Sequence, residues 1–278
     1  MDKRYLTPSE IVGAAVVTGR DKAVRGFWPL LVLGILGGAY IALAAYGSTI
    51  SSFNLLADLT TYGLGKFVSG IVFTTGLIMV ILSGAELFTG NVLICVSVFE
   101  KKTSLMSMLR NWVIIYFANL IGAVVIAVMI SASGLWGSGE GALGVATIKI
   151  ALAKVNLDFT AAFVLGILCN WLVCLGVWFS YAADTVVSKV AGIFFPVMLF
   201  VLSGYEHCVA NMYYIPAGIL AKAEYGAQGG FSDVALNSLN WGTFMSSNLI
   251  PVTLGNIVGG AVMVGMAYWF SLYRKKNN

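Results

Sequence analysis

The only histidine in the chain, His207, stands beside Glu206 in the middle of a long apolar stretch. An ionisable side chain at membrane depth marks a functional position by default. Imidazole there can donate to an anion or move a proton near neutral pH. Glu86 and Glu206 occupy matching places in two stretches, 67–99 and 190–221, that are otherwise free of charge. Such carboxylates must be paired, hydrogen-bonded or protonated. Both read as structural, each accepting backbone N–H groups freed where a helix breaks. Lys149 and Lys154 read as an outward loop, either simply solvated or, at a pore mouth, raising the local anion concentration. Ser203 lies four residues before His207 without an acid or oxyanion partner, so a hydrolytic pair has no support and no enzyme is expected. Cys95, Cys169, Cys174 and Cys208 form no Cys-x-x-Cys pair, and neither a metal nor a cofactor is expected.

The elements that position these residues follow from composition. The chain has 278 residues with 16 Lys+Arg, 12 Asp+Glu and 59% hydrophobic side chains, and its mean hydropathy is +0.90. A soluble globule cannot enclose that much apolar side chain in one core, so soluble classes drop out. Stretches 27–57, 111–139, 159–183 and 234–273 carry no charge, and each supplies the roughly 20 apolar residues of a membrane helix. With 67–99 and 190–221 the count is six spans. Residues 1–26 read as a cytoplasmic amphipathic helix at the membrane surface. No cleavable leader is expected, because Thr7-Pro8-Ser9-Glu10 instead makes a helix start. With both termini cytoplasmic, only Lys66, Lys149, Lys154 and Lys222 of the 16 Lys+Arg fall outside, as the positive-inside rule requires. The net charge of +4 then reflects orientation in a cell membrane, and no nucleic acid is implied.

Three words recur in order. Val32-Leu33-Gly34-Ile35-Leu36 returns as Val164-Leu165-Gly166-Ile167-Leu168. Leu82-Ser83-Gly84-Ala85-Glu86 with Asn91 returns as Leu202-Ser203-Gly204-Tyr205-Glu206 with Asn211. Asn119-Leu120-Ile121-Gly122 returns as Asn256-Ile257-Val258-Gly259. Each half, about 27–133 and 160–273, holds three spans, so the second half enters the membrane from the opposite side: an inverted repeat with its site near the midplane. A continuous helix over the second or fifth stretch, at ~1.5 Å per residue, would overrun a ~30 Å hydrocarbon core. Breaks at 83–91 and 203–211 are therefore expected, with Glu86, Glu206, Asn91 and Asn211 structural at the breaks. The expected fold is an all-α membrane protein of six helices, with a short tail at 274–278.

Gly84 to Asn91, Leu168 to Leu175, Ser203 to Met212 and Asn248 to Asn256 resemble, in order, the motifs of the formate/nitrite transporter family. The resemblance spans about residues 8–273. It implies a homopentamer of aquaporin-like protomers in the lipid bilayer, each with its own pore for small monovalent anions. It implies that Leu87, Phe88 and Thr89 form a mobile loop at the cytoplasmic constriction, with Val173 opposite. His207 would be the central pore histidine with Thr89 as its partner, and Phe73, Leu77 and Phe200 the second constriction. Asn170 and Asn256 would line the chamber, and Lys154 would match the lysine ahead of the fourth helix. Ile250-Pro251-Val252 resembles formate-type members more than nitrite or hydrosulfide ones. The charge penalty on a bare carboxylate between apolar rings leaves two routes: crossing as the neutral acid, or as an anion beside a charged histidine. An aquaporin-like channel for neutral solutes is the competing class, although Asn-Pro-Ala is absent around Asn91 and Asn211.

Overall fold

A computed structural model describes residues 5–274. Lys3, Arg4 and all of the expected tail except Arg274 lie outside the described residues. Ten helices matter for function. The first half holds α1 (Pro8–Ala23), α2 (Phe27–Ala57), α3 (Tyr62–Ser83), α4 (Phe88–Phe99) and α5 (Leu105–Ala132). The second half holds α6 (Ala142–Val155), α7 (Phe159–Ala182), α8 (Val186–Leu202), α9 (Cys208–Tyr225) and α10 (Trp241–Leu272). Five of these are long and apolar enough to cross a membrane, namely α2, α3, α5, α7 and α10. The broken pairs α3–α4 and α8–α9 each supply one span in two pieces, completing six. The fold is all-helical, with two inverted three-span repeats and a broken second and fifth span.

Local chemistry starts these helices. At α1 the Thr7–Glu10 capping box is formed and Pro8 takes the first turn. Ser104, Asp158 and Thr185 cap α5, α7 and α8 by accepting the backbone N–H three residues on. The breaks are shorter than the sequence implied, 84–87 and 203–207, because α4 and α9 resume helix at Phe88 and Cys208. Each carries a glycine in the left-handed region at or next to its start, Gly84 (φ 77°) and Gly204 (φ 78°), a conformation other residues reach only with strain.

α2 packs on α3 and α5, α7 packs in the same way on α8 and α10, and α3 meets α8 where the halves join. Small residues permit this. A Cβ on Gly38 would strike the Asn119 backbone, and one on Gly255 would strike the Phe163 carbonyl, so neither helix pair can close around a larger side chain.

Two expectations change. The apolar face of α1 is not laid on lipid: Ile11, Val12, Ala15, Val16, Gly19 and Ala23 are buried, against α4, α5 and α7. Lys149 and Lys154 lie in helix α6 rather than a loop, because Leu143, Thr147, Ile148, Ala151 and Val155 give that segment a buried helical face. The twofold correspondence thus reaches beyond the three spans of each half, with α1 standing to the first break as α6 stands to the second.

Candidate functional site

Both breaks are held by one arrangement used twice. The backbone N–H of Glu86 donates to the Leu33 carbonyl of α2 at 3.0 Å, and that of Glu206 to the Leu165 carbonyl of α7 at 3.3 Å. Those carbonyls belong to the duplicated Val-Leu-Gly-Ile-Leu word. In the first break Asn119 Oδ1 accepts the Phe88 N–H at 2.9 Å, while its Nδ2 donates to the Gly34 and Glu86 carbonyls at 2.6 and 2.9 Å. In the second break Asn256 Oδ1 accepts the Cys208 N–H at 2.9 Å, and Nδ2 donates to the Gly166 and Glu206 carbonyls at 2.8 and 2.9 Å. Buried backbone groups left open by a broken helix must find partners, and these two asparagines supply them.

The glutamates therefore do not accept the freed N–H groups, as the sequence implied. Glu86 Oε2 is 2.8 Å from Lys22 Nζ and Oε1 is 2.6 Å from Arg25, with Asn91 Nδ2 donating at 2.7 Å. Glu206 Oε1 is 2.7 Å from Lys154 Nζ, and Asn211 Nδ2 donates to Oε2 at 2.6 Å. Asn111 and Asn248 complete the two sets, accepting from Asn91 and Asn211 and donating to the Lys22 and Lys154 carbonyls, each at 3.0 Å. The sets differ in three contacts: Arg25 has no counterpart at Glu206, Asn248 Nδ2 also donates to Glu206 Oε2 at 3.2 Å, and the amide oxygens of Asn91 and Asn211 are treated differently. Asn91 Oδ1 accepts from Lys22 Nζ at 2.9 Å, whereas Asn211 Oδ1 is buried without a partner among the described residues.

His207 caps α9: its Nδ1 accepts the Ala210 N–H at 3.0 Å. That assigns the ring proton to Nε2, which faces Thr89 Oγ1 at 2.9 Å. The Thr89 carbonyl accepts from Asn170 Nδ2 at 3.2 Å and from the Cys174 thiol at 3.3 Å. Phe200 stacks on the imidazole with 5.8 Å between centroids and meets Phe73 edge-on at 5.6 Å.

Two cavities approach this pair from opposite sides. One, of about 960 Å³, is walled by Lys66, Lys149, Lys154, Glu206, Asn211, Phe73, Phe200 and His207. The other, of about 390 Å³, is walled by Lys22, Arg25, Lys189, Glu86, Asn91, Leu77 and Leu87. Each presents three cations and one carboxylate. Phe73 and Phe200 thus face one cavity, while Leu77, a turn on from Phe73, faces the other beside Leu87. Thr89 is fully buried and Val173 nearly so.

Three expected pore residues stand elsewhere. Phe88 packs away from both cavities, on Trp112 and Tyr116 at 6.1 and 4.9 Å. Asn170 and Asn256 are fully buried and bonded to backbone rather than lining open space. Lys22, Arg25, Asn111, Asn119 and Asn248 were not singled out for the site by sequence. The signal was present, since Asn111, Asn119 and Lys22 each have an identical residue at the corresponding place in the second half. The His207 ring bonds Thr89 and the Ala210 N–H and not Ser203, and no group of three or more His, Cys, Asp or Glu among the described residues could hold a metal.

The pattern of a known family, described as formate/nitrite transporter, matches residues 9–270. A probable formate transporter of Methanothermobacter thermautotrophicus is 37% identical over 99% of this chain and 100% of its own. The formate channel FocA of Haemophilus influenzae is 40% identical over 94% of this chain and 93% of its own. Among solved structures, a pentameric formate channel with formate bound superposes with a TM-score of 0.79 at 37% identity, covering 88% of this chain and 96% of that one. These relatives are channels and transporters, not enzymes.

Proposed function

This chain belongs to the formate/nitrite transporter family, and from that membership we propose that it passes small monovalent anions, formate foremost, across the cell membrane through a pore in each protomer. The observation that carries the mechanism is the Thr89–His207 bond, set between two cavities that each hold three cations. Positive potential at both mouths concentrates anions and favours their entry from either side. The wall between the cavities carries Phe73, Phe200, Leu77 and Leu87, where a bare carboxylate loses its hydration with little in return. His207 donates from Nε2 to Thr89 Oγ1 and spends Nδ1 on the Ala210 N–H. That leaves the Thr89 O–H to donate to the substrate, so the pair offers a hydrogen bond rather than a fixed countercharge. The acid crosses as its neutral form, and the proton travels with it.

The protomer assembles as a homopentamer, like the solved relative, and both termini face the cytoplasm, the side richer in Lys and Arg. Leu87 and Leu77, with Thr89 and Val173 buried behind them, form the inner constriction, and Phe73 and Phe200 the outer one. Lys154 and the cavity it faces are then extracellular.

The test is flux into proteoliposomes with formate, nitrite, hydrosulfide, acetate and lactate in competition. Formate is expected to be taken up best and to outcompete acetate and lactate. Preference for nitrite or hydrosulfide would reassign the substrate within the family. Passage of water and glycerol with no anion flux would overturn the reading in favour of a neutral-solute channel.

A further inference from the structure

The last helix carries a line of exposed apolar side chains four residues apart, interrupted at half-buried Val258. Ile250 is 50% exposed, Leu254 46%, Val262 41%, Met266 44% and Phe270 56%. At 3.6 residues per turn such a series swings around the axis. The wider π turn at Ala261–Met266 reduces that swing, so Val262, Met266 and Phe270 stay on one side and the next member is Arg274. The Arg274 guanidinium lies 5.3 Å from the Phe270 ring centre and 5.9 Å from that of Trp269.

A second element meets this end of the helix. Phe99 contacts Trp269 with 5.2 Å between centroids, and Trp269 Nε1 donates to Glu100 at 2.5 Å. The following turn is fixed by the Lys101 N–H on Val98 O at 2.9 Å and the Lys102 N–H on Ser97 O at 2.8 Å. Lys101 adopts φ 55°, a strained setting for a lysine. Lys101, Lys102 and Arg274 are all exposed, and none forms an ion pair among the described residues. Trp241, 47% exposed, opens the same helix as Trp269 closes it, the placement of side chains at the two membrane–water interfaces.

We propose that this face binds one anionic phospholipid, with an acyl chain along Val262, Met266 and Phe270 and the phosphate against Arg274, Lys101 and Lys102. An apolar track closed by three cations at an aromatic interface matches that ligand in charge and in polarity. In the proposed orientation the lipid lies in the cytoplasmic leaflet. The site depends on neither that orientation nor the transported anion.

Native mass spectrometry of the full-length oligomer tests this, comparing phosphatidylglycerol with phosphatidylcholine. Each basic residue near a charged headgroup is worth about fivefold in affinity, so the wild type is expected to retain phosphatidylglycerol at least tenfold better. The triple variant Lys101→Gln, Lys102→Gln, Arg274→Gln is expected to bring retention down to the phosphatidylcholine level, and Lys101→Arg, Lys102→Arg, Arg274→Lys to restore it. Glycerophosphoglycerol, the headgroup without chains, is expected not to displace the lipid. Unchanged retention in the triple variant would overturn the proposal. Displacement by the bare headgroup would reduce it to a phosphodiester site. Cross-linking of a Phe270→Cys protein to a neighbouring copy would show a subunit contact instead.

Discussion

At the first break Glu86 is held by two cations, Lys22 and Arg25, and both are partly open to water, at 24% and 34% exposure. At the second, Glu206 is held by Lys154 alone, at 14% exposure. The backbone solution is the same in both, down to Asn119 and Asn256. The chemistry is not. Counting from the paired glutamates, His207 corresponds to Leu87, and Thr89 corresponds to Val209. Duplication kept the residues that hold the broken backbone and let go of those at the proposed crossing point. Divergence inside a symmetric frame therefore marks function, and retained symmetry marks support.

The largest effect is expected from removing that support. Asn256→Ala strips partners from the Cys208 N–H and two carbonyls, all buried, at ~1–3 kcal/mol for each group left open. Asn119→Ala does the same in the other half. Both are expected to abolish the folded oligomer or lower its melting temperature sharply in detergent. Tolerance of one but not the other would break the equivalence of the two breaks.

The glutamates come next. Glu206→Leu leaves Lys154 nearly buried without its carboxylate, a loss of ~3–5 kcal/mol. Glu86→Leu frees Lys22 and Arg25, which can turn towards water, so a smaller drop in melting temperature is expected. The reverse order would place the tighter anchor at the first break. Thr89→Val removes the acceptor of His207 Nε2 without changing side-chain shape. It is expected to leave the melting temperature within a few degrees and to cut formate flux about fivefold, as one lost hydrogen bond of ~1 kcal/mol would. Arg25→Gln is expected to do least: Lys22 keeps Glu86 paired, and a part-exposed ion pair contributes under ~1 kcal/mol.

Much of this was legible in the sequence because membrane folding imposes strong patterns. Scarce charge gave the spans, the repeated words gave the inversion, and length gave the breaks. The role of Asn119 and Asn256 was harder to read. Their words were visible as a repeat, but a buried asparagine caps or lines according to what stands three ångströms away, and sequence holds no such distance. Phe88 was misplaced for a related reason. It begins α4, and the helix turns its ring to Trp112 and Tyr116 while neighbouring Leu87 faces the cavity. Lys149 and Lys154 seemed to sit in a loop because glycines crowd 134–144 and hide the start of α6. Lys22 and Arg25 looked like ordinary cytoplasmic charge until the fold brought them to Glu86.

The most direct measurement is formate uptake into proteoliposomes between pH 5.5 and 7.5, for wild type and His207→Ala. Wild-type uptake is expected to rise as the outside is acidified, as the proposed crossing of formate with a proton requires. Alkalinisation of the outer medium should accompany that uptake. In the variant, flux should fall at least tenfold and lose that dependence. Equal flux with the same pH profile in both proteins would contradict a crossing controlled by His207.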